Sequence, residues 1–253
     1  MSKNDDALLR AGDLAVALSL LTRLPVPGTV DMARGGRAAW AYPLAGVPVA
    51  LLAGGAGLFA STIGLASPFC ALITLTFSAL LTGALHEDGL ADTADGLWGG
   101  WTRDRRLEIM KDSHIGTYGV IAIFLSLSWR WAALFMLFEM GVALVLPALV
   151  AAALLSRAVM PALMAGLPHA RDTGLSHSVG RAPWPTAALA LALAVVGTLF
   201  CLGPQAVLAM ALTVMTTACV AVIARRKIGG QTGDILGAAQ QIAEIAVLTA
   251  LIA

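Results

Sequence analysis

Long apolar runs alternate with short polar connections along almost the whole chain. A helix needs about 20 apolar residues to cross the hydrocarbon core of a bilayer. Runs of that order fall at roughly 40–63, 69–87, 117–138, 142–165, 185–202, 205–224 and 235–253. Tight turns at Glu139-Met140-Gly141 and Gly203-Pro204 join two pairs of them. The first run contains Pro43, Pro48 and several glycines, which membrane helices tolerate where neighbours satisfy the backbone. A shorter apolar run, 7–22, is broken by Asp13 and stops before Pro25; it predicts an interfacial or re-entrant helix. The fold class expected is all-α: a polytopic membrane helical bundle with about seven transmembrane helices plus that short N-terminal helix.

Composition supports this. Of 253 residues, 58% are hydrophobic and 12% charged, against roughly 25% charged in soluble domains. A net charge of +1 argues against a nucleic-acid partner. Cys70, Cys201 and Cys219 stand far apart in apolar runs, which suits helix packing rather than disulfides or zinc. Asp5 and Asp6 occupy the place of a basic n-region, so no cleavable signal peptide is expected. Apart from Arg130 and Arg157, every Lys and Arg lies in the N-terminal region or in the segments 23–39, 88–116, 166–184 and 225–234. The connections near 64–68, 139–141 and 203–204 hold none. That asymmetry puts the long polar segments, and any active face they build, in the cytoplasm. A transport path would more often place polar groups at the midplane. No fixed-period repeat or soluble segment divides the chain, so residues 1–253 read as one integral membrane domain in contact with lipid. The sequence leaves a homo-oligomer open.

The densest chemistry is the stretch His86–Gly96, which places Glu87, Asp88, Asp92 and Asp95 directly after an apolar run. A charge at the centre of a membrane helix costs on the order of 3 kcal/mol. Asp88, Asp92 and Asp95 stand at i, i+4 and i+7, one face of a continuing helix. Like charges so placed are tolerable with a cation between them, and carboxylate oxygens suit a hard ion such as Mg²⁺, typically shared with substrate phosphates. A solvated helix end is the plainer alternative. In 101–119, a short surface helix over 103–111 carries Arg103, Arg105, Arg106 and Lys111, which suit phosphate or anionic lipid. Asp112 is a further candidate metal ligand, and His114 a candidate proton carrier near neutral pH.

A glycine-rich junction, Gly229-Gly230-Gln231-Thr232-Gly233-Asp234, opens the last apolar helix. Gly230, Thr232 and Gly233 suit close backbone approach to an anion; Asp234 has an N-cap as its competing reading. Glu244 and Arg157 are ionisable groups inside spans, functional candidates by default. Arg130, between Trp129 and Trp131, reads as a structural anchor near the far interface, and the loop 169–181 as solvated. Carboxylates, basic residues and glycine-rich junctions on one face suit a diphosphate held by Mg²⁺. The reaction class is substitution at phosphorus, with an alcohol attacking and a nucleotide leaving.

Further motifs run through the chain: Thr22-Arg23-Leu24-Pro25-Val26-Pro27, Tyr42-Pro43-Leu44-Ala45-Gly46, Asp88-Gly89-Leu90-Ala91-Asp92-Thr93-Ala94-Asp95-Gly96, Arg103-Asp104-Arg105, Leu107 through Ser113, Gly116-Thr117, and Gly229 through Asp234 leading to Glu244. Taken together the chain resembles the cobalamin synthase family, the adenosylcobinamide-GDP ribazoletransferases, nearly end to end. The resemblance implies a bacterial inner-membrane enzyme using Mg²⁺, with adenosylcobinamide-GDP and α-ribazole, or its 5′-phosphate, as substrates. The ribazole 3′-hydroxyl would attack the cobinamide-linked phosphorus, releasing GMP and forming adenosylcobalamin or its 5′-phosphate. On this reading Asp88, Asp92 and Asp95 hold the ion, Asp112 or Asp234 completes the site, and Lys111 with Arg103 or Arg105 binds phosphates. Two positions depart from the family pattern: Glu87, where an apolar residue can stand, and Gln241, where an acid is expected. Asp92-x-x-Asp95-Gly96 also echoes the CDP-alcohol phosphatidyltransferases, but Leu97-Trp98-Gly99-Gly100 follows in place of Ala-Arg. A cation-coupled transporter is the alternative from another class.

Overall fold

The computed structural model describes residues 7–253; Asp5 and Asp6 lie outside them. Its helices are α1 (Asp13–Leu21), a 3-10 stretch (Met32–Ala41), α2 (Tyr42–Thr62), α3 (Ser67–Thr82), α4 (Leu85–Gly99), α5 (Arg103–Ile109), α6 (Thr117–Met140), α7 (Val142–Gly166), α8 (Leu175–Val179), α9 (Trp184–Leu202), α10 (Ala206–Ile228) and α11 (Gly233–Ile252). Among the described residues the one extended pairing is an isolated bridge between His169 and Gln231. The chain is thus a polytopic helical membrane protein.

Five stretches are long and apolar enough to cross a membrane, or six if α3 and α4 count together as one bent span. One of the five, Trp184–Ile228, has 45 residues. A straight helix of that length would reach about 67 Å, well beyond the roughly 30 Å hydrocarbon core. It folds back instead. Gly203 takes φ 55, ψ −132, and Trp184 and Leu191 of α9 line the same groove as Thr217 and Ala221 of α10. With α9 and α10 as separate crossings there are six, and the seven read from hydropathy are reached only if the bent α3–α4 pair is also one span.

Two expected boundaries move. The run 69–87 does not continue into the acidic stretch: α3 ends at Thr82 and α4 departs at 86°. The turn is made by Gly83 (φ 64) and Ala84 (φ 54), and Ala84 in the left-handed region costs roughly 1–2 kcal/mol. Arg23 holds the turn. Its amide donates to Leu81 O at 2.7 Å, and a Cβ on Gly83 would fall 2.3 Å from its Nε. The N-terminal helix starts at Asp13 rather than being broken by it. The Asp13 carboxylate is buried and accepts from Arg34 Nε at 2.8 Å and Trp40 Nε1 at 2.7 Å. Burial works to raise this carboxyl, but bonds from Arg34, Trp40 and the Arg10 amide outweigh it and keep it below its usual range.

The contact that positions everything below is α4 against α11. A Cβ on Gly89 would lie 3.0 Å from Asp234 O and 3.2 Å from Gly237 Cα. The two backbones therefore touch with no side chain between them, which brings the acidic stretch beside the start of α11.

Gly89→Val forces these helices apart. Overpacking of this kind costs about 1–3 kcal/mol, so the unfolding temperature in detergent falls and turnover is lost. Gly55→Ala, whose Cβ would meet nothing within 4 Å, leaves both unchanged.

Candidate active site

Where α4 meets α11 a cavity of about 240 Å³ opens. Its walls are apolar, from Leu20, Leu21, Met160, Met164 and Leu236, with Tyr42 and His86 among them. Asp88, Asp234 and Arg171 supply its charge, and Gly89, Gly233 and Gly237 its close backbone. Asp88 and Asp234 thus share one lining although the chain between them runs through six other α-helices. Asp92, half-buried one turn along α4, feels Asp234, Asp88 and Asp95 as repelling charges.

Asp95 has another task. It is 7% exposed and accepts from the amides of Gly116 at 2.7 Å and Gly119 at 2.9 Å. These are orphan donors of the α6 N-terminus, so Asp95 caps that helix from outside it. A Cβ on Gly116 or Gly119 would fall 2.5 or 2.3 Å from its carboxylate oxygens, which accounts for the Gly-Thr-Tyr-Gly turn. Asp112 and His114 pair with each other, Nδ1 to Oδ1 at 2.7 Å, on the exposed turn before α6. That bond lowers the Asp112 carboxyl and raises the His114 imidazole from their ordinary values. Among the described residues no hydrogen bond or ion pair joins either to Asp88, Asp92 or Asp234.

The basic residues divide likewise. Arg103 donates to Ile228 O at 2.9 Å and Ala170 O at 2.6 Å. Arg106 donates to Lys227 O at 3.0 Å. The Lys227 and Ile228 carbonyls end α10, where a cation is favoured, so α5 is riveted to α10, and Ala170 O ties it to the loop after α7. Arg105 pairs with Glu108 in solvent, and Lys111 is exposed. At the glycine-rich junction, Thr232 is the N-cap, accepting from the Ile235 amide at 3.2 Å; Asp234, two residues on, lines the cavity and its Oδ2 accepts from Thr232 Oγ1 and Arg171 Nη2, each at 3.2 Å. Gly230 admits the Pro168 carbonyl, which a Cβ would meet at 2.1 Å.

Glu244 and Arg157 belong to a buried layer beneath the cavity. Arg130 lies at its centre, 1% exposed. It contacts Glu87 at 2.8 Å, Glu244 at 2.9 Å and Gln241 at 2.8 Å. It is therefore no anchor at the far interface: it ties α6 to α4 and α11. Gln241, standing where the family pattern has an acid, accepts from Arg130 and Ser126 and donates to Glu87. Arg157 is buried with its Nε unpartnered and lies against Gly46, whose Cβ would fall 2.7 Å from Arg157 Cδ. Sequence reasoning passed over His86, fully buried in the cavity wall with Nε2 unpartnered, and Arg171. The buried neighbours of His86 on α4 were its signal; Arg171 gave none beyond its charge.

The donor set suits a hard cation. Asp88, Asp92 and Asp234 offer carboxylate oxygens only, and Mg²⁺ is commonly held by one or two carboxylates plus substrate phosphate. Among the described residues no group of three or more His, Cys, Asp or Glu is already gathered to hold an ion.

A helical membrane bundle with carboxylates and a guanidinium around a cavity where α4 meets α11 has the make-up of a membrane enzyme. Residues 13–252 match the family described as CobS, cobalamin-5-phosphate synthase, and the chain belongs to that family. It is 47% identical over 239 residues to the adenosylcobinamide-GDP ribazoletransferase of Bradyrhizobium diazoefficiens, covering 93% of this chain and 91% of the relative. The protein of the same name from Mesorhizobium japonicum is 44% identical over 93% of this chain and 91% of its own length. That from a Sinorhizobium species is 42% identical, over 94% and 95%. No solved structure matches the chain.

Removing Arg130 leaves Glu87 and Glu244 buried without their cation. Breaking a buried pair from one side costs about 3–5 kcal/mol. Arg130→Met therefore lowers the unfolding temperature strongly, and adding Glu87→Gln and Glu244→Gln restores part of it.

Proposed function

We propose that this chain joins α-ribazole, or its 5′-phosphate, to adenosylcobinamide-GDP at the cavity between α4 and α11. As a member of its family it is an adenosylcobinamide-GDP ribazoletransferase, an enzyme of cobalamin biosynthesis. The observation that carries the site is the convergence of Asp88 and Gly89 with Gly233 and Asp234 on one cavity lining. The positive-inside distribution supports a cytoplasmic active face, and the bacterial relatives support the inner membrane. The whole chain, residues 1–253, acts as one catalytic domain.

Asp88, Asp92 and Asp234 would hold Mg²⁺. Held there, it would supply positive charge against that of the departing nucleotide. The ribazole hydroxyl forms an O–P bond with the cobinamide-linked phosphorus, the P–O bond to GMP breaks, and the hydroxyl proton passes to a carboxylate at the mouth. Asp88 and Asp234 are the carboxylates of the cavity lining and stand nearer this task than the Asp112–His114 pair. Asp95 contributes by fixing α6 to α4. The apolar walls exclude water, which would otherwise compete as the nucleophile. A CDP-alcohol transferase or transporter reading has no observation of its own in its favour.

Purified protein in liposomes with both substrates and Mg²⁺ yields GMP and the cobalamin product, and a chelator stops it. Asp88→Asn and Asp234→Asn lower kcat at least 100-fold with little change in unfolding temperature. Asp95→Asn lowers the unfolding temperature as well. Full activity in Asp88→Asn would overturn the site assignment.

A further inference from the structure

We infer that Arg171 is a substrate-binding residue whose guanidinium takes a phosphate oxyanion at the mouth of the cavity. This rests on the site reading above. Arg171 lies on the loop between α7 and α8, a segment that by sequence reads as solvated. Residues 172–175 are indeed exposed, but the loop's start and Ser176 are docked on the glycine-rich junction. The Ala170 amide donates to Gln231 O at 2.9 Å, and the Gln231 amide to Pro168 O at 2.8 Å. Arg103 Nη2 holds Ala170 O at 2.6 Å, and Ser176 Oγ donates to Gln231 Oε1 at 2.7 Å. The backbone on which Arg171 stands is therefore fixed before any ligand arrives.

Arg171 is the one Arg or Lys among the residues lining this cavity. Its Nη2 reaches Asp234 Oδ2 at 3.2 Å, long for a charge-assisted bond. Its Nη1 is buried and has no partner. A guanidinium presents its donors as a planar fork that matches phosphate oxygens, and a buried donor left unpaired is costly. Asp88, Asp92 and Asp234 would repel an arriving anion; Arg171 supplies the opposing charge on the same lining.

Two sources offer this chemistry: the diphosphate of adenosylcobinamide-GDP and the 5′-phosphate of the ribazole nucleotide. The test measures KM for each on the full-length protein in liposomes with Mg²⁺, for the wild type, Arg171→Lys and Arg171→Gln. Arg171→Gln raises KM for one phosphate-bearing substrate at least 10-fold, Arg171→Lys by less, and the unfolding temperature holds. The substrate whose KM rises identifies the phosphate that is bound. Unchanged KM values for both substrates overturn the inference, as does an equal rise for both with a lowered unfolding temperature, which marks a structural role. If Arg171→Gln does not fold, binding of inorganic pyrophosphate to the wild type and Arg171→Lys decides: severalfold weaker binding to the lysine variant supports it, equal binding overturns it. Absent turnover in the wild type counts against the proposed function, not against Arg171.

Discussion

One buried guanidinium holds the segments that build the site. Arg130 on α6 meets Glu87 on α4 and Glu244 on α11, and these three helices carry the acidic stretch, the Gly-Thr-Tyr-Gly turn and the glycine-rich junction. A charge in the interior of a membrane bundle is costly unless it is paired and hydrogen-bonded, as Arg130 is. The pairing fixes rotation as well as distance: α4 and α11 must each turn an acid inward at this level. With Glu87 inward, Asp88 is set on another face of α4, free to reach the cavity lining. The Gly89–Gly237 approach closes the remaining gap.

Division of labour among the acids follows from this frame. Glu87 and Glu244 neutralise Arg130, Asp95 caps α6, and Asp13 holds α1 to the 3-10 stretch through Arg34 and Trp40. Each has a fixed partner and little freedom to serve a ligand. Asp88 and Asp234 line the cavity, Asp92 beside them feels the charge of both, and a bound cation would relieve that crowding. The basic residues sort in the same way: Arg103 and Arg106 spend their donors on the end of α10, and Arg171 keeps one in reserve at the cavity.

Hydropathy revealed the helices because bilayer thickness imposes a length that a single chain displays locally. The acidic helix and the glycine-rich junction were legible for a similar reason: carboxylates and glycines are conspicuous in an apolar chain. Roles that depend on distant partners were not. Periodicity put Asp95 with Asp88 and Asp92 on one face but could not show that the amides of Gly116 and Gly119 would fold onto it. Arg130 looked like an anchor because its neighbours in sequence are tryptophans; its partners lie on other helices. The turn at Gly83-Ala84 was hidden because the apolar run continues through it, and the bend depends on Arg23 from an earlier segment. Arg171 resembled any solvated arginine until the docking of its loop was seen.

The central claim is that the ion site is built from both helices and completed by the substrate's diphosphate. Mn²⁺ bound in place of Mg²⁺ tests it directly by electron paramagnetic resonance, with and without adenosylcobinamide-GDP. The account predicts weak Mn²⁺ binding to the protein alone, at least 10-fold tighter binding with the diphosphate present, and loss of that gain in Asp88→Asn and Asp234→Asn alike. Equal Mn²⁺ affinity with and without the diphosphate, or a gain that survives both substitutions, would contradict it.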